Sequence, residues 1–223
     1  MDSRYSRNIP ALTQQECDLL RQKRIAVVGC GGLGGHIIEL MARLGIGHIT
    51  CVDGDVFDES NLNRQLLSEE ALLGTPKAQA AVDRIRRINS PVSCQGIHQF
   101  LTEENASRIL ADCDLVFDAL DNVQSRRILE KACEDLQIPY IHGAIAGWMA
   151  QAGVCMPGQK LTQLLYPEGV MLKDKSVLSF TPALCASMQT ALGLKLLCGR
   201  KVETGKLYFF DLLHQDFETI SLG

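Results

Sequence analysis

The sequence predicts an α/β protein: a mixed, mainly parallel sheet with helices on both faces and an antiparallel hairpin at its C-terminal end. Three observations carry that expectation. Short apolar runs alternate with stretches of helical periodicity through the first two thirds of the chain, the pattern of right-handed βαβ units. The first apolar run ends in a glycine-rich turn that opens a helix. The last third abandons the alternation for strand pairs around one long apolar helix. At 223 residues, 46% hydrophobic and 22% charged, the chain reads as one globular domain spanning 1–223.

The elements follow in order. Residues 1–22 form a polar arm and a short helix over Gln14–Arg21. Ile25–Val28 is apolar throughout, as a strand buried on both faces must be. Residues 33–44, LGGHIIELMARL, carry apolar side chains at helical spacing, and His48–Val52 is the second strand. A polar stretch from Asp53 to about Glu70 interrupts the rhythm, which Lys77–Ile88 resumes as an amphipathic helix. Strand 92–97, helix 103–111, strand 115–119 and helix 125–136 complete the alternation. Tyr140–Ile145 and Gln151–Cys155 read as strands, and 156–176 as a crossover loop. Pro182 opens a largely apolar helix to about Leu197, at a position where helices tolerate proline. Lys206–Asp211 and Phe217–Ser221 bracket Leu-Leu-His-Gln-Asp as the terminal hairpin.

Composition narrows the function classes. With 22 basic against 26 acidic residues the net charge is −4, so no global basic field attracts nucleic acid. The N-terminal stretch is charged and lacks the apolar core of a secretory signal. No uninterrupted apolar run of about 18 residues suggests a membrane span. The nine cysteines stand singly, with no Cys-x-x-Cys pair, which suits free thiols in a reducing cytoplasm. The histidines show no metal-ligand spacing.

The chemistry concentrates after the first strand. Gly29-Cys-Gly31-Gly32-Leu-Gly34 sits between strand and helix, where glycines let the backbone approach a phosphate that the helix N-terminus favours. Asp53 closes the second strand, where a carboxylate accepts hydrogen bonds from a ribose. A dehydrogenase that binds a nicotinamide dinucleotide is the default reading of this pattern. The next segment, Asp53-Gly-Asp55 through Ser60-Asn61-Leu-Asn-Arg64-Gln65, argues against it, as does Lys77 at the start of a helix. Arg64 and Lys77 are fixed cations suited to a triphosphate. Asp118 and Asp121-Asn122 end the fourth strand at the carboxyl edge, where open α/β sheets bind ligands, and an acidic group there suits magnesium.

These motifs together resemble the MoeB/ThiF/HesA branch of the ubiquitin-activating-enzyme superfamily. The resemblance runs from Tyr5-Ser-Arg7 through the glycine turn, Asn-Leu-x-Arg-Gln, Lys77 and Asp118-Ala-Leu-Asp121-Asn122. It continues to Phe180-Thr-Pro-Ala, Gln189 and the closing strand. It implies a Rossmann-like fold and an adenylyltransferase. Such an enzyme uses ATP and magnesium to activate the C-terminal glycine carboxylate of a ubiquitin-like sulfur carrier of the ThiS/MoaD type, ending in Gly-Gly. The glycines would lie against the phosphates and Asp53 would hold the ribose. Asn61, Arg64 and Lys77 would contact phosphate oxygens, Asp121 would anchor magnesium, and Arg7 would reach across a homodimer.

Two departures accompany the resemblance. The paired Cys-x-x-Cys motifs that hold zinc in many relatives are missing, so no zinc site is expected. The expected crossover carries no cysteine, and Cys155 at its edge reads as a buried strand-end thiol. Sulfur would then come from a separate donor protein. Three rivals remain: an enzyme like tRNA threonylcarbamoyladenosine dehydratase, which activates a carboxylate on tRNA; an NAD-dependent dehydrogenase; and a nucleotide-binding module without catalysis. Trp148 and the basic cluster Arg84-Arg86-Arg87 read as packing and solvated surface.

Overall fold

The computed structural model describes residues 3–167 and 176–222. Its eight strands form one sheet in the order β3-β2-β1-β4-β5-β6-β7-β8. These are β1 (Arg24–Val28), β2 (His48–Val52), β3 (Ser93–Ile97), β4 (Leu115–Asp118) and β5 (Tyr140–Ala146), all parallel. They are followed by β6 (Met149–Cys155), β7 (Lys206–Asp211) and β8 (Asp216–Ser221), each antiparallel to its neighbour. The helices are α1 (Gln14–Leu20), α2 (Gly32–Leu44), α3 (Lys77–Ile88), α4 (Glu103–Leu110), α5 (Val123–Asp135), α6 (Leu161–Leu165) and α7 (Phe180–Leu197).

Side-chain alternation along β1 divides the core into two layers. Ile25 and Val27 join a cluster with Ile37, Ile38 and Met41 of α2, Ile85 of α3, and Cys185 and Leu192 of α7. Ala26 and Val28 join Leu110 of α4 and Leu129 and Cys133 of α5 on the other face. Both faces of the parallel half are therefore covered, as an uninterrupted apolar strand requires.

The expected strands and helices are all present, with ends within a few residues. The long helix begins at Phe180 rather than Pro182, because a proline in the first turn blocks no internal hydrogen bond. Among its described residues the expected 156–176 crossover holds a short helix that the sequence pattern does not predict, α6. A five-residue helix has too little periodicity to register in sequence. It is docked by a buried carboxylate: Glu130 Oε1 accepts the Thr162 N–H at 2.6 Å and the Tyr140 hydroxyl at 2.8 Å. Residues 168–175 of that crossover lie outside the described residues.

The N-terminal arm starts as a short 3-10 turn over Ser3–Asn8. Tyr5 is buried, its hydroxyl accepting from Asn89 Nδ2 at 2.8 Å, and its ring fills the space a Cβ on Gly45 would need. Gly45 and Asn89 follow the C-termini of α2 and α3, so the arm is anchored at the amino edge of the parallel strands.

Candidate nucleotide site

At the opposite, carboxyl edge the chain leaves β1 through Gly29, whose φ is +95° and whose pro-Cβ position lies 2.5 Å from the Ala119 carbonyl oxygen. Only glycine fits there. A Cβ on Gly34 would fall 1.7 Å from the Gly29 carbonyl oxygen, so the first turn of α2 packs directly against the turn that precedes it. Gly31 is the N-cap of α2 and Gly32 its first residue. No side chain caps this helix, whereas Thr13 caps α1 and Asn122 caps α5. An uncapped N-terminus of a 13-residue helix presents N–H donors and the positive end of its dipole, a seat for an anion.

Around this seat the structure gathers the residues expected from sequence. Asp53 accepts the Cys30 N–H at 2.7 Å through Oδ2 and the Asp55 N–H at 2.8 Å through Oδ1. Burial raises its pKa from the usual carboxylate value, against those two N–H groups and the Lys77 charge. The 53–57 segment folds back on residues 74–77. Phe57 N–H donates to the Thr75 carbonyl and Lys77 N–H to the Asp55 carbonyl, both at 3.0 Å. That pairing delivers Lys77 beside the loop, with its side chain only 8% exposed and Nζ 3.3 Å from Asp55 Oδ2.

The polar loop is ordered by its own side chains. Asp58 Oδ1 accepts the Ser60 N–H at 2.9 Å, and the buried Asn61 in turn accepts the Asp58 N–H at Oδ1 at 3.1 Å. Ser60 is exposed. Its carbonyl, with Asn63 Oδ1, holds the Arg64 guanidinium at 2.8 and 2.9 Å, folded back on its own turn. Gln65 is buried beside Gly31, and its Oε1 is an unpartnered buried acceptor among the described residues.

Beyond β4, Asp121 is exposed and touches the Asn122 amide at 3.3 Å. It is an oxygen donor available to a hard cation. Asn122 also has a local task, accepting the Ser125 N–H at 2.8 Å as the cap of α5. Asp118, at the end of the same strand, is sealed from solvent rather than open at the edge. It is fully buried, with Oδ2 2.5 Å from Arg126 Nη1 and 2.8 Å from His142 Nδ1. Burial alone would raise its pKa, but the Arg126 charge and the His142 hydrogen bond outweigh it and hold it low. Burial lowers the His142 pKa, leaving a neutral ring that donates from Nδ1 to Asp118 and accepts at Nε2 from Gln151 at 3.2 Å. Arg126 and His142 were not singled out for this edge in the sequence.

Two other residues lie away from this edge. Arg7 is exposed in the arm at the amino edge, about 20 Å from the glycine turn by the length of α2. Cys155 is buried at the end of β6, its thiol donating to the Gln159 carbonyl at 3.3 Å, and burial pushes its pKa up. Trp148 stacks at a tilt on Phe180, ring centroids 5.2 Å apart. Among the described residues no three His, Cys, Asp or Glu side chains cluster to hold a metal, and no helix is long and apolar enough to cross a membrane.

The uncapped helix start, the two nearby cations and the open Asp121 carboxylate together fit a nucleoside triphosphate with magnesium. Comparison with known proteins bears on this geometry. Residues 5–223 match the ThiF family. The chain is 33% identical to the SAMP-activating enzyme E1 of Haloferax volcanii, across 97% of this chain and 84% of that protein. It is 29% identical to the molybdopterin-synthase adenylyltransferase of Escherichia coli, across 92% and 85%. Against the adenylyltransferase and sulfurtransferase MOCS3 of Danio rerio, 33% identical, it spans 98% of its own length and 50% of the relative's. Among solved structures, Escherichia coli MccB with ATP has a TM-score of 0.82 at 22% identity, covering 100% of this chain and 72% of that one. Escherichia coli tRNA N6-threonylcarbamoyladenosine dehydratase, TcdA, has a TM-score of 0.75 at 23% identity, covering 88% and 94%. At these identities the structural likeness is one of fold.

Proposed function

Since the chain belongs to the ThiF family and is an adenylyltransferase, we propose that it uses ATP to adenylate the C-terminal glycine carboxylate of a ubiquitin-like sulfur-carrier protein of the ThiS/MoaD type. The observation that carries this reading is the meeting of the uncapped α2 N-terminus with the buried Lys77 and the open Asp121 at one sheet edge. The names of the Haloferax and Escherichia coli relatives support the choice of acceptor.

In the proposed reaction a carrier carboxylate oxygen attacks the α-phosphorus in line. A new oxygen–phosphorus bond forms while the bond to the β-phosphate oxygen breaks, and pyrophosphate leaves. No protein nucleophile is needed, so the chain's work is positioning and charge compensation. The α2 N–H groups seat the phosphates, Asp53 and Gln65 orient the ribose, and Asn61, Arg64 and Lys77 take the growing phosphate charge. Asp121 would hold magnesium, which when bound neutralises phosphate charge and aids departure of pyrophosphate.

The distance of Arg7 from its own glycine turn favours a role at a partner's site in a homodimer. The buried Cys155 favours a separate sulfur donor over a covalent intermediate, and the setting is the cytoplasm. The likeness to TcdA's fold favours one second reading, activation of a carboxylate on tRNA at the same site.

ATP–pyrophosphate exchange tests the reading. Exchange should require a carrier ending in Gly-Gly; dependence on modified tRNA instead would select the second reading, and exchange with neither would overturn both. Arg64→Ala and Lys77→Ala should each lower exchange by about 10²–10³-fold with the melting temperature little changed. Unchanged exchange in either removes its assignment.

A further inference from the structure

We infer that the buried Asp118–Arg126 ion pair is the positioning device for the Asp121 carboxylate. The inference rests on the proposed reading of Asp121 as the magnesium ligand. Leu120 immediately precedes Asp121, and both polar groups of Leu120 are held by this pair. Its N–H donates to Asp118 Oδ1 at 3.1 Å, and its carbonyl accepts from Arg126 Nη2. The same Nη2 donates to the Gly143 carbonyl at 2.9 Å, tying the turn after β4 to the neighbouring strand β5. Nη1 meets Asp118 Oδ2, the oxygen that also takes the His142 Nδ1–H, so each carboxylate oxygen has a distinct task.

The surroundings fix the fork itself. Arg126 lies 5.6 Å from the Tyr166 ring centroid, and the Asp118 and Arg126 side chains are 1% and 3% exposed. The turn is further pinned before Leu120 by the Ala119 N–H on the Val28 carbonyl at 3.0 Å, and after Asp121 by the Asn122 cap. Among the described residues the Asp121 side chain makes no hydrogen bond or ion pair beyond that with Asn122, so its carboxylate is placed through its backbone. A buried ion pair adds little stability over apolar packing of the same shape. A planar fork aimed at two carbonyls and a carboxylate supplies what apolar packing does not, a fixed orientation of one peptide group. Arg126 and Asp118 thus act through Asp121, as partners behind a metal ligand orient it.

The test uses the full chain with Mn²⁺ as the probe, titrated by electron paramagnetic resonance in the presence of ATP. ATP binding is measured separately without divalent ion. Asp121→Asn is the reference: if it leaves Mn²⁺ binding unchanged, the reading of Asp121 fails and the inference with it. Given a loss in that variant, Arg126→Lys should weaken Mn²⁺ binding by about 10–100-fold while metal-free ATP affinity stays within about twofold. Lysine keeps the charge but loses the fork. Folded Arg126→Lys with unchanged Mn²⁺ binding overturns the inference, as does a parallel loss of ATP affinity, which would mark general distortion. Asp118→Asn, which keeps an acceptor for the Leu120 N–H, should move in the same direction by less. Should neither variant fold, hydrogen exchange on the wild type decides: a Leu120 amide exchanging as fast as an unprotected one overturns the clamp.

Discussion

β1 and β8 belong to one sheet, yet four of the five residues of β1 are buried while every residue of β8 is exposed. The difference follows from connectivity. Parallel strands are joined by helices that must cross a face, so the parallel half is roofed on both sides and its polar groups are sealed. β8 closes an antiparallel hairpin that needs no crossover, and it forms a free edge with Phe217 and Ile220 in solvent. Charges are accordingly used differently. In the parallel half Asp118, Arg126 and His142 are dry and mutually dependent. In the hairpin, Asp211 and His214 meet at 2.8 Å in the open turn, where solvent screens them.

The sharpest way to break this comparison is Arg126→Met. It leaves Asp118 buried without its cation, and should cost about 3–5 kcal/mol in urea unfolding. A loss under about 1 kcal/mol would mean that the parallel half tolerates unpaired charge as the hairpin does.

A middle-sized effect concerns pH. His142 is neutral in the fold, its pKa lowered by burial, so the unfolded chain takes up a proton that the native state refuses. The contribution is intact above the ordinary histidine value and is lost as pH falls below it. Its limiting slope is about 1.4 kcal/mol per pH unit. Unfolding free energy measured from pH 7.5 to 5 should therefore fall less steeply in His142→Gln than in the wild type. Parallel slopes would sink the argument.

The smallest effect belongs to the edge. Phe217 packs edge-on against Phe210, centroids 5.5 Å apart, and is 59% exposed. Phe217→Ser should cost about 0.5–1.5 kcal/mol in the same unfolding assay. A cost above about 3 kcal/mol would show that the hairpin is roofed by something after all.

What was legible in the sequence divides along the same line. The bounds of β2 and α3 coincide with their apolar periodicity, and the glycine turn with Asp53, Asn61, Arg64, Gln65 and Lys77 gathers as expected, because local steric and capping rules place them. The buried network was not legible. Arg126 and Arg127 are adjacent and chemically identical, yet one is sealed against Asp118 while the other reaches the Tyr166 carbonyl at 3.0 Å. Which of two arginines faces inward is decided by β5 and the Tyr166 segment, whose positions no local pattern reveals. The same holds for Asp118: its strand-end position says nothing about whether the side chain is open or sealed.

The packing of Gly34 against the Gly29 carbonyl leaves no gap between the glycine turn and the helix behind it. The proposed phosphate seat is therefore part of the packed fold at the glycine turn itself. A ligand docking on this turn meets a backbone already fixed by packing, so the turn itself adds little ordering cost to binding.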